Sequence, residues 1–265
     1  MDKAGESDEL LNKLIKKLSN KGTIKLKFND LPDIIKGNIN AYNIPMTYIA
    51  DASDLQIREY FRFLQNQERL RAGEIINSMP PTNLEGFLDK IKHKNLFLDI
   101  IGFSDSRLEF DKIFYSMIGL FDGKIPFGTT DKMIQNYASK AEYPDLGLIN
   151  SQRMIEQINL ILDIGEPVIY NTRKRYLKYF LLLSGLGYVD FRESTVEKLK
   201  CLKTIDDKLS VFFSAKKNAV EKEFDGDDSV LIDEMRQIAL LTKGGHPLIR
   251  VKERMKILAK YINEE

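Results

Sequence analysis

The sequence predicts a mainly α protein: a helical bundle-like body with a small β element of one or two strands near the N-terminus. Three observations predict it. After residue 50, apolar residues recur at helical spacing in one segment after another. Strand-type alternation is confined to the residues before that point. The connections are short and carry turn residues, as in FDGKIPFGTT, SGLGY, EFDGDDS and TKGGHP.

Along the chain, Leu10, Leu11, Leu14, Ile15 and Leu18 mark a short amphipathic helix. TIKLKF then alternates Ile24, Leu26 and Phe28 with Lys25 and Lys27, the period of a half-buried strand. Pro32 and Gly37 punctuate the connection to YNIPMTYIA, a second strand-like run in which Pro45 favours an edge or a strand start. Two strands alone are marginal in water, so these lie on the helices or complete a sheet whose other strands come from elsewhere. SDLQIREYFRFL opens with Ser53 or Asp54 as N-cap and sets Leu55, Tyr60, Phe61 and Leu64 along one stripe. Further helices are expected over Leu84–Lys92, Arg107–Phe121, Thr130–Ala138, Asn150–Ile164, Thr172–Ser184, Thr195–Leu202, Ile205–Val220, Val230–Thr242 and Leu248–Ile262. SGLGYVDFREST offers a boundary that divides residues 1–190 from a C-terminal helical segment, 191–265; the alternative is a loop within one helical mass.

Composition narrows the function. The 265 residues are 43% hydrophobic and 30% charged, the balance of a folded globular chain. A net charge of +1 excludes a global positive field, so any nucleic-acid contact must be a local patch. A single cysteine, Cys201, can form neither an intrachain disulfide nor a thiolate zinc site, which fits a reducing compartment. No run approaches the roughly 18 apolar residues of a membrane span. The start, MDKAGESDELL, is acidic and polar where a signal peptide is basic and then apolar. The expected location is cytoplasmic, with no membrane partner.

The stretch REYFRFLQNQERLRAGEIINSMP reads as helix, reversal, helix. Asn66 tolerates the left-handed conformation that ends a helix, and Gln67, Glu68 and Arg69 form a solvated turn. Leu70 is placed to pack back as a staple, and Glu74 to accept from a backbone amide, although Arg71 stands where a Ser or Thr cap is usual. On residues alone this is an αα-hairpin with Phe61, Leu64, Leu70, Ile75 and Ile76 in the core.

The same stretch also carries a family likeness. Phe61, Arg62, Gln65, Asn66, Leu70 and Glu74 follow two earlier boxes, Phe28-Asn29-Asp30-Leu31-Pro32 and Tyr42-Asn43-Ile44-Pro45 leading to Ile49. In this order they resemble the N-terminal domain family of GmrSD-type restriction endonucleases, the ParB/sulfiredoxin-like domains of modification-dependent and anti-phage systems. The likeness runs from about Thr23 to Ser78, and IRVKERMKILAKYI is similar to the ending of several members. Phe63 departs from the arginine frequent in the family, and NQER replaces the glycines of the turn. The family's box DGQQR, with which members engage nucleotide or carry out nuclease-linked chemistry, occurs nowhere in the chain. The resemblance therefore implies the back portion of such a domain: a non-catalytic, DNA-associated component of a defence-type system. It assigns no catalytic residue, metal or cofactor. Any activity, nuclease or NTPase, would need a partner chain carrying the DGQQR strands. The alternative is a helical protein-interaction scaffold that pairs with such a partner.

Other chemistry is sparse. TKGGHP has glycines without the Lys-Ser/Thr pair of a phosphate loop and suits a helix C-terminus. His93 and His246 are too few and too far apart for a histidine-rich nuclease centre. Asp225, Asp227 and Asp228 lack the register of a calcium loop and read as a solvated acidic loop. Arg173, Lys174, Arg175 and Lys178 cluster beside Tyr170, Tyr176 and Tyr179, a mixture able to hold phosphates and stack on bases. The competing account is an amphipathic helix with Tyr176, Leu177, Phe180 and Leu181 in the core and the cations in water. Arg250, Lys252, Arg254 and Lys256, with Glu253 among them, form a second basic set on the last helix.

Overall fold

The computed structural model describes residues 28–31, 33–41, 50–54, 56–58, 60, 71–78, 85–140, 148–213, 223–224 and 229–263. The chain divides into two units, Met1–Asp51 and Ala52–Glu265. The boundary suggested near residue 190 falls inside the second unit, where helices from both sides of it share one core. The first unit contributes a 3-10 turn, Phe28–Asp30, and helix α1, Asp33–Asn40. The run TIKLKF up to Lys27, the second strand-like run and the reversal from Phe61 to Leu70 lie outside the described residues. So do Arg62, Gln65 and Asn66 of the family motif and the acidic loop at Asp225, Asp227 and Asp228.

The second unit is built of helices α2 (Ala72–Asn77), α3 (Glu85–Leu88), α4 (Lys94–Ile100), α5 (Glu109–Phe121) and α6 (Asp131–Lys140), followed by α7 (Leu148–Ile161), α8 (Lys174–Leu186), α9 (Thr195–Leu209), α10 (Ser229–Leu240) and α11 (Leu248–Asn263). The mainly α expectation holds. Among the described residues the one β feature is an isolated antiparallel bridge between Phe127 and His246. It joins the loop after α5 to the glycine-bearing loop after α10. Ser53 starts its helix as expected: its Oγ accepts from the Gln56 backbone amide at 3.3 Å, and the Gln56 side-chain Oε1 accepts from the Ser53 backbone amide at 2.9 Å.

Helix α4 was not anticipated, because its apolar residues Leu96, Phe97, Leu98 and Ile100 crowd into a single turn after a polar run. Helix α9 is continuous where two helices were expected, with Leu199, Leu202, Ile205 and Leu209 keeping helical spacing across the join.

Helix α8 is the centre. From Tyr176 to Leu186 every residue but Lys178 is buried, so the helix is wrapped on all sides, as an apolar helix must be. It packs most extensively on α7 and also against α5, α9 and α11. Gly185 permits one of these approaches: a Cβ there would lie 2.6 Å from the Phe121 ring of α5 and 3.1 Å from Met154 of α7. Gly187, at φ +67°, ends α8 in the left-handed conformation, and the Tyr188 amide returns to the Leu183 carbonyl at 3.0 Å.

Two polar contacts fix the register of this core. The Tyr179 hydroxyl donates to the Ile238 carbonyl at 2.8 Å, tying α8 to α10. Arg175 donates from Nε to the fully buried Asp206 Oδ1 at 2.6 Å and also reaches the Asp206 carbonyl, tying α8 to α9. Burial pulls the Asp206 carboxyl above its ordinary range, against the opposing pull of Arg175. Removing one partner strands the other charge in the core. Asp206→Ala is therefore expected to lower the unfolding free energy, read by urea titration, by about 3–5 kcal/mol, whereas Arg175→Met combined with Asp206→Leu recovers most of that loss.

Candidate functional site

The first turn of α5 begins from an unusual backbone. Arg107 (φ 57°, ψ 41°) and Leu108 (φ 58°, ψ 39°) are consecutive non-glycine residues in the left-handed region. Each such residue costs roughly 1–3 kcal/mol and persists only where its surroundings hold it. Here they do. Asp105 Oδ1 accepts from the Phe110 amide at 2.8 Å, and Lys94 bridges Asp111 at 2.8 Å and Asp105 at 3.9 Å. On the other side α2 sits directly on the turn: a Cβ on Gly73 would lie 2.3 Å from the Leu108 carbonyl oxygen and 2.7 Å from that of Arg107. Only glycine allows that approach.

Helix α2 is itself fixed at its start, where Glu74 accepts from the Arg71 amide at 2.8 Å. This is the half of the capping box that the sequence predicts. Glu74 of the family motif thus serves the helix end, and its carboxylate also lies 3.9 Å from Arg107.

The strained turn opens onto a cleft of about 750 Å³ lined by α2, α5, α6 and the start of α8. Its charged walls are Arg71, Arg107, Lys112, Lys132 and Lys174 against Glu109 and Asp131, a net of three positive charges, with Gln135 beside them. Glu109 is the anchor. Buried to 3% exposure, it accepts from Lys112 at 3.0 Å through one oxygen and meets the Lys174 ammonium at 2.9 Å through the other. Lys112 also reaches Asp131 at 3.2 Å. Burial alone would raise the Glu109 carboxyl, but the ammoniums of Lys174 and Lys112 outweigh it and hold the group below the ordinary carboxylate range. Arg71 and Lys132 are exposed and form no ion pair among the described residues. The cleft therefore separates cations held by the protein's own carboxylates from cations available to an anion.

The basic cluster named on α8 is dispersed by the fold. Lys174 joins the cleft, and Arg173 is exposed at the N-cap of α8. Arg175 turns inward to Asp206, its guanidinium 5.3 Å from the Phe213 ring centre. Lys178 is also drawn inward, 5.7 Å from the centre of Phe127; burial, then Lys112 and Lys174, pull its ammonium below the ordinary lysine value. Tyr176 and Tyr179 are fully buried, leaving Tyr170, 68% exposed, as the one ring of the three open to stacking. Four α8 residues, Tyr176, Leu177, Phe180 and Leu181, are core, as the amphipathic account has it, yet two of the cations do not face water.

On α11, Arg250, Lys252 and Lys256 are exposed and Arg254 is half-buried, and none of them lines the cleft. His93 is the exposed residue before α4, and the His246 backbone forms the bridge to Phe127. No group of three His, Cys, Asp or Glu side chains is placed to hold a metal ion among the described residues, and no helix among them is long and apolar enough to cross a membrane.

Comparison with family models, curated proteins and solved structures finds no match to this chain. The cleft is thus read from its own chemistry. Arg107, Lys112, Lys132, Glu109 and Asp131 carried no signal in the sequence, since the turn, α5 and α6 that bring them together are distant from Arg71 and Lys174 along the chain, and each is an ordinary charged residue in its own window.

The strained turn gives this site a measurable signature. Arg107→Gly removes one left-handed penalty and one cleft cation together. It is expected to raise the unfolding free energy by about 1 kcal/mol while lowering the affinity of the cleft for anions; urea titration reads the first and phosphate titration the second.

Proposed function

We propose that this chain is a DNA-associated component of a restriction or anti-phage system, binding nucleic acid by gripping phosphate in the cationic cleft rather than cutting it. One observation carries the reading: five cations, three from helices α5, α6 and α8, one from the N-cap of α2 and one from the turn before α5, surround one concave space, and only two carboxylates oppose them. Arginine forks and lysine ammoniums are the groups that hold phosphate oxygens. The defence context is supported by the resemblance over Thr23–Ser78, and the assignment of binding without cutting by the absence of DGQQR from the sequence. The net charge of +1 agrees with a local grip and not with general coating of DNA. A cytoplasmic location belongs to the same proposal.

The cations to alter are those whose loss leaves the core intact. Arg175 is unsuitable, because Arg175→Glu would set a second carboxylate against buried Asp206. Arg71→Gln, Arg107→Gln and Lys132→Gln together remove the cleft cations least engaged by carboxylates. Each cation withdrawn from a phosphate lowers the slope of log affinity against log salt by about 0.7 for single-stranded DNA. The triple variant, folded by circular dichroism, is expected to bind single-stranded DNA more weakly, with that slope reduced by about 2. Unchanged binding in the triple variant, with loss on changing Arg250 and Arg254 to Gln, would move the grip to α11 and overturn the cleft reading.

A further inference from the structure

The size and charge pattern of the cleft bear on which phosphate it takes, an inference that rests on the cleft's role in phosphate binding. A space of about 750 Å³ falls within the roughly 300–1,000 Å³ of small-molecule sites. It does not admit a duplex, whose major groove alone is about 12 Å wide. What enters is the size of a nucleotide or the end of a strand.

The charges are arranged in two tiers. Lys112 and Lys174 are engaged by Glu109, and Lys112 also by Asp131. Arg71 and Lys132 have no ion pair among the described residues, and Arg107 has only a 3.9 Å approach from Glu74. Two guanidiniums and one ammonium thus remain for one ligand group. A phosphate monoester carries about −1.5 to −2 charge at neutral pH and three terminal oxygens; a diester within a strand carries a single charge. The monoester is the better complement to two bidentate forks and a lysine.

The rim also discriminates. Asp131 is 59% exposed at the edge of the cleft, and Gln135 follows one turn later on the same face of α6. A carboxylate there repels the neighbouring phosphates of a strand passing through. It accepts hydrogen bonds from the sugar hydroxyls or amino groups of a nucleoside that ends in the site.

We infer that the cleft takes a terminal phosphate monoester, carried by a strand end or a free nucleotide, rather than the phosphodiesters of a strand interior. The test is fluorescence anisotropy at fixed salt, on the full chain, with a labelled single-stranded DNA of about twelve nucleotides bearing either a 5′-phosphate or a 5′-hydroxyl. Deoxyadenosine 5′-monophosphate serves as competitor. The phosphorylated strand is expected to bind at least tenfold more tightly, and Arg71→Gln with Arg107→Gln to reduce that ratio to near one. Competition by the mononucleotide at concentrations comparable to the strand assigns the free nucleotide as ligand, and far weaker competition assigns the strand end; both support the inference. Equal binding of the two strands, abolished together in the cleft variants, would overturn the inference and leave phosphate gripping by the cleft standing. A preference that survives both arginine changes places the monoester elsewhere and also overturns it. Binding of neither strand would overturn both readings.

Discussion

Helix α8 carries apolar side chains on every face from Tyr176 to Leu186, so it can exist in water only when other helices surround it. That requirement organises the second unit. Helices α5, α7, α9 and α11 each lay one apolar stripe against α8. Such a core excludes water from the middle of the helix but leaves its N-terminal turn at the edge. Three successive cations at that edge consequently meet three different fates: Arg173 stays in solvent, Lys174 reaches across to Glu109 on α5, and Arg175 is folded inward onto Asp206 of α9.

The cleft follows from the same constraint. Because α5 is held against α8, Glu109 is buried beneath two lysines instead of facing water. A buried carboxylate is stable as an anion only if it is paired, and Lys112 and Lys174 supply that pairing. With those two lysines fixed as one wall, Arg107 is presented from the left-handed turn and Arg71 from the start of α2, both held in place by the approach of Gly73. Local strain and local charge therefore occur at one place. Left-handed non-glycine residues also occur singly at His93, Asn171 and Ser194, but the consecutive pair at Arg107 and Leu108 coincides with the charged cleft, and that coincidence distinguishes a binding site from a solvated charged surface.

Much of the helical framework was legible in the sequence because apolar periodicity is a local signal. The segments that became α5, α6, α7, α8, α10 and α11 are long enough for their stripes to be read. The Ser53 cap and the Glu74 carboxylate were legible for the same reason, each being settled within four residues. Helix α4 was hidden because its apolar residues occupy one turn. Of the cleft cations only Lys174 was legible as a candidate for binding phosphate. Arg71 read only as a poor cap, Arg107 only as a helix start, and Arg175 and Lys178 as members of a surface cluster. Whether a cation faces solvent, a buried carboxylate or a ring depends on residues 30 or more positions away, such as Asp206 for Arg175 and Phe127 for Lys178. Window-by-window reading does not contain that information. It surfaces only when the helices are brought together.

The central claim is that one preformed cationic cleft, and not a basic helix surface, is where this protein holds phosphate. Crystals soaked in tungstate, an electron-dense tetrahedral oxyanion, test it most directly through the anomalous difference map. The account predicts the strongest peak within hydrogen-bond reach of Arg71, Arg107 and Lys132, above Glu109 and Lys112. A strongest peak along Arg250, Lys252 and Lys256, or no peak in the cleft while tungstate binds elsewhere, would contradict it.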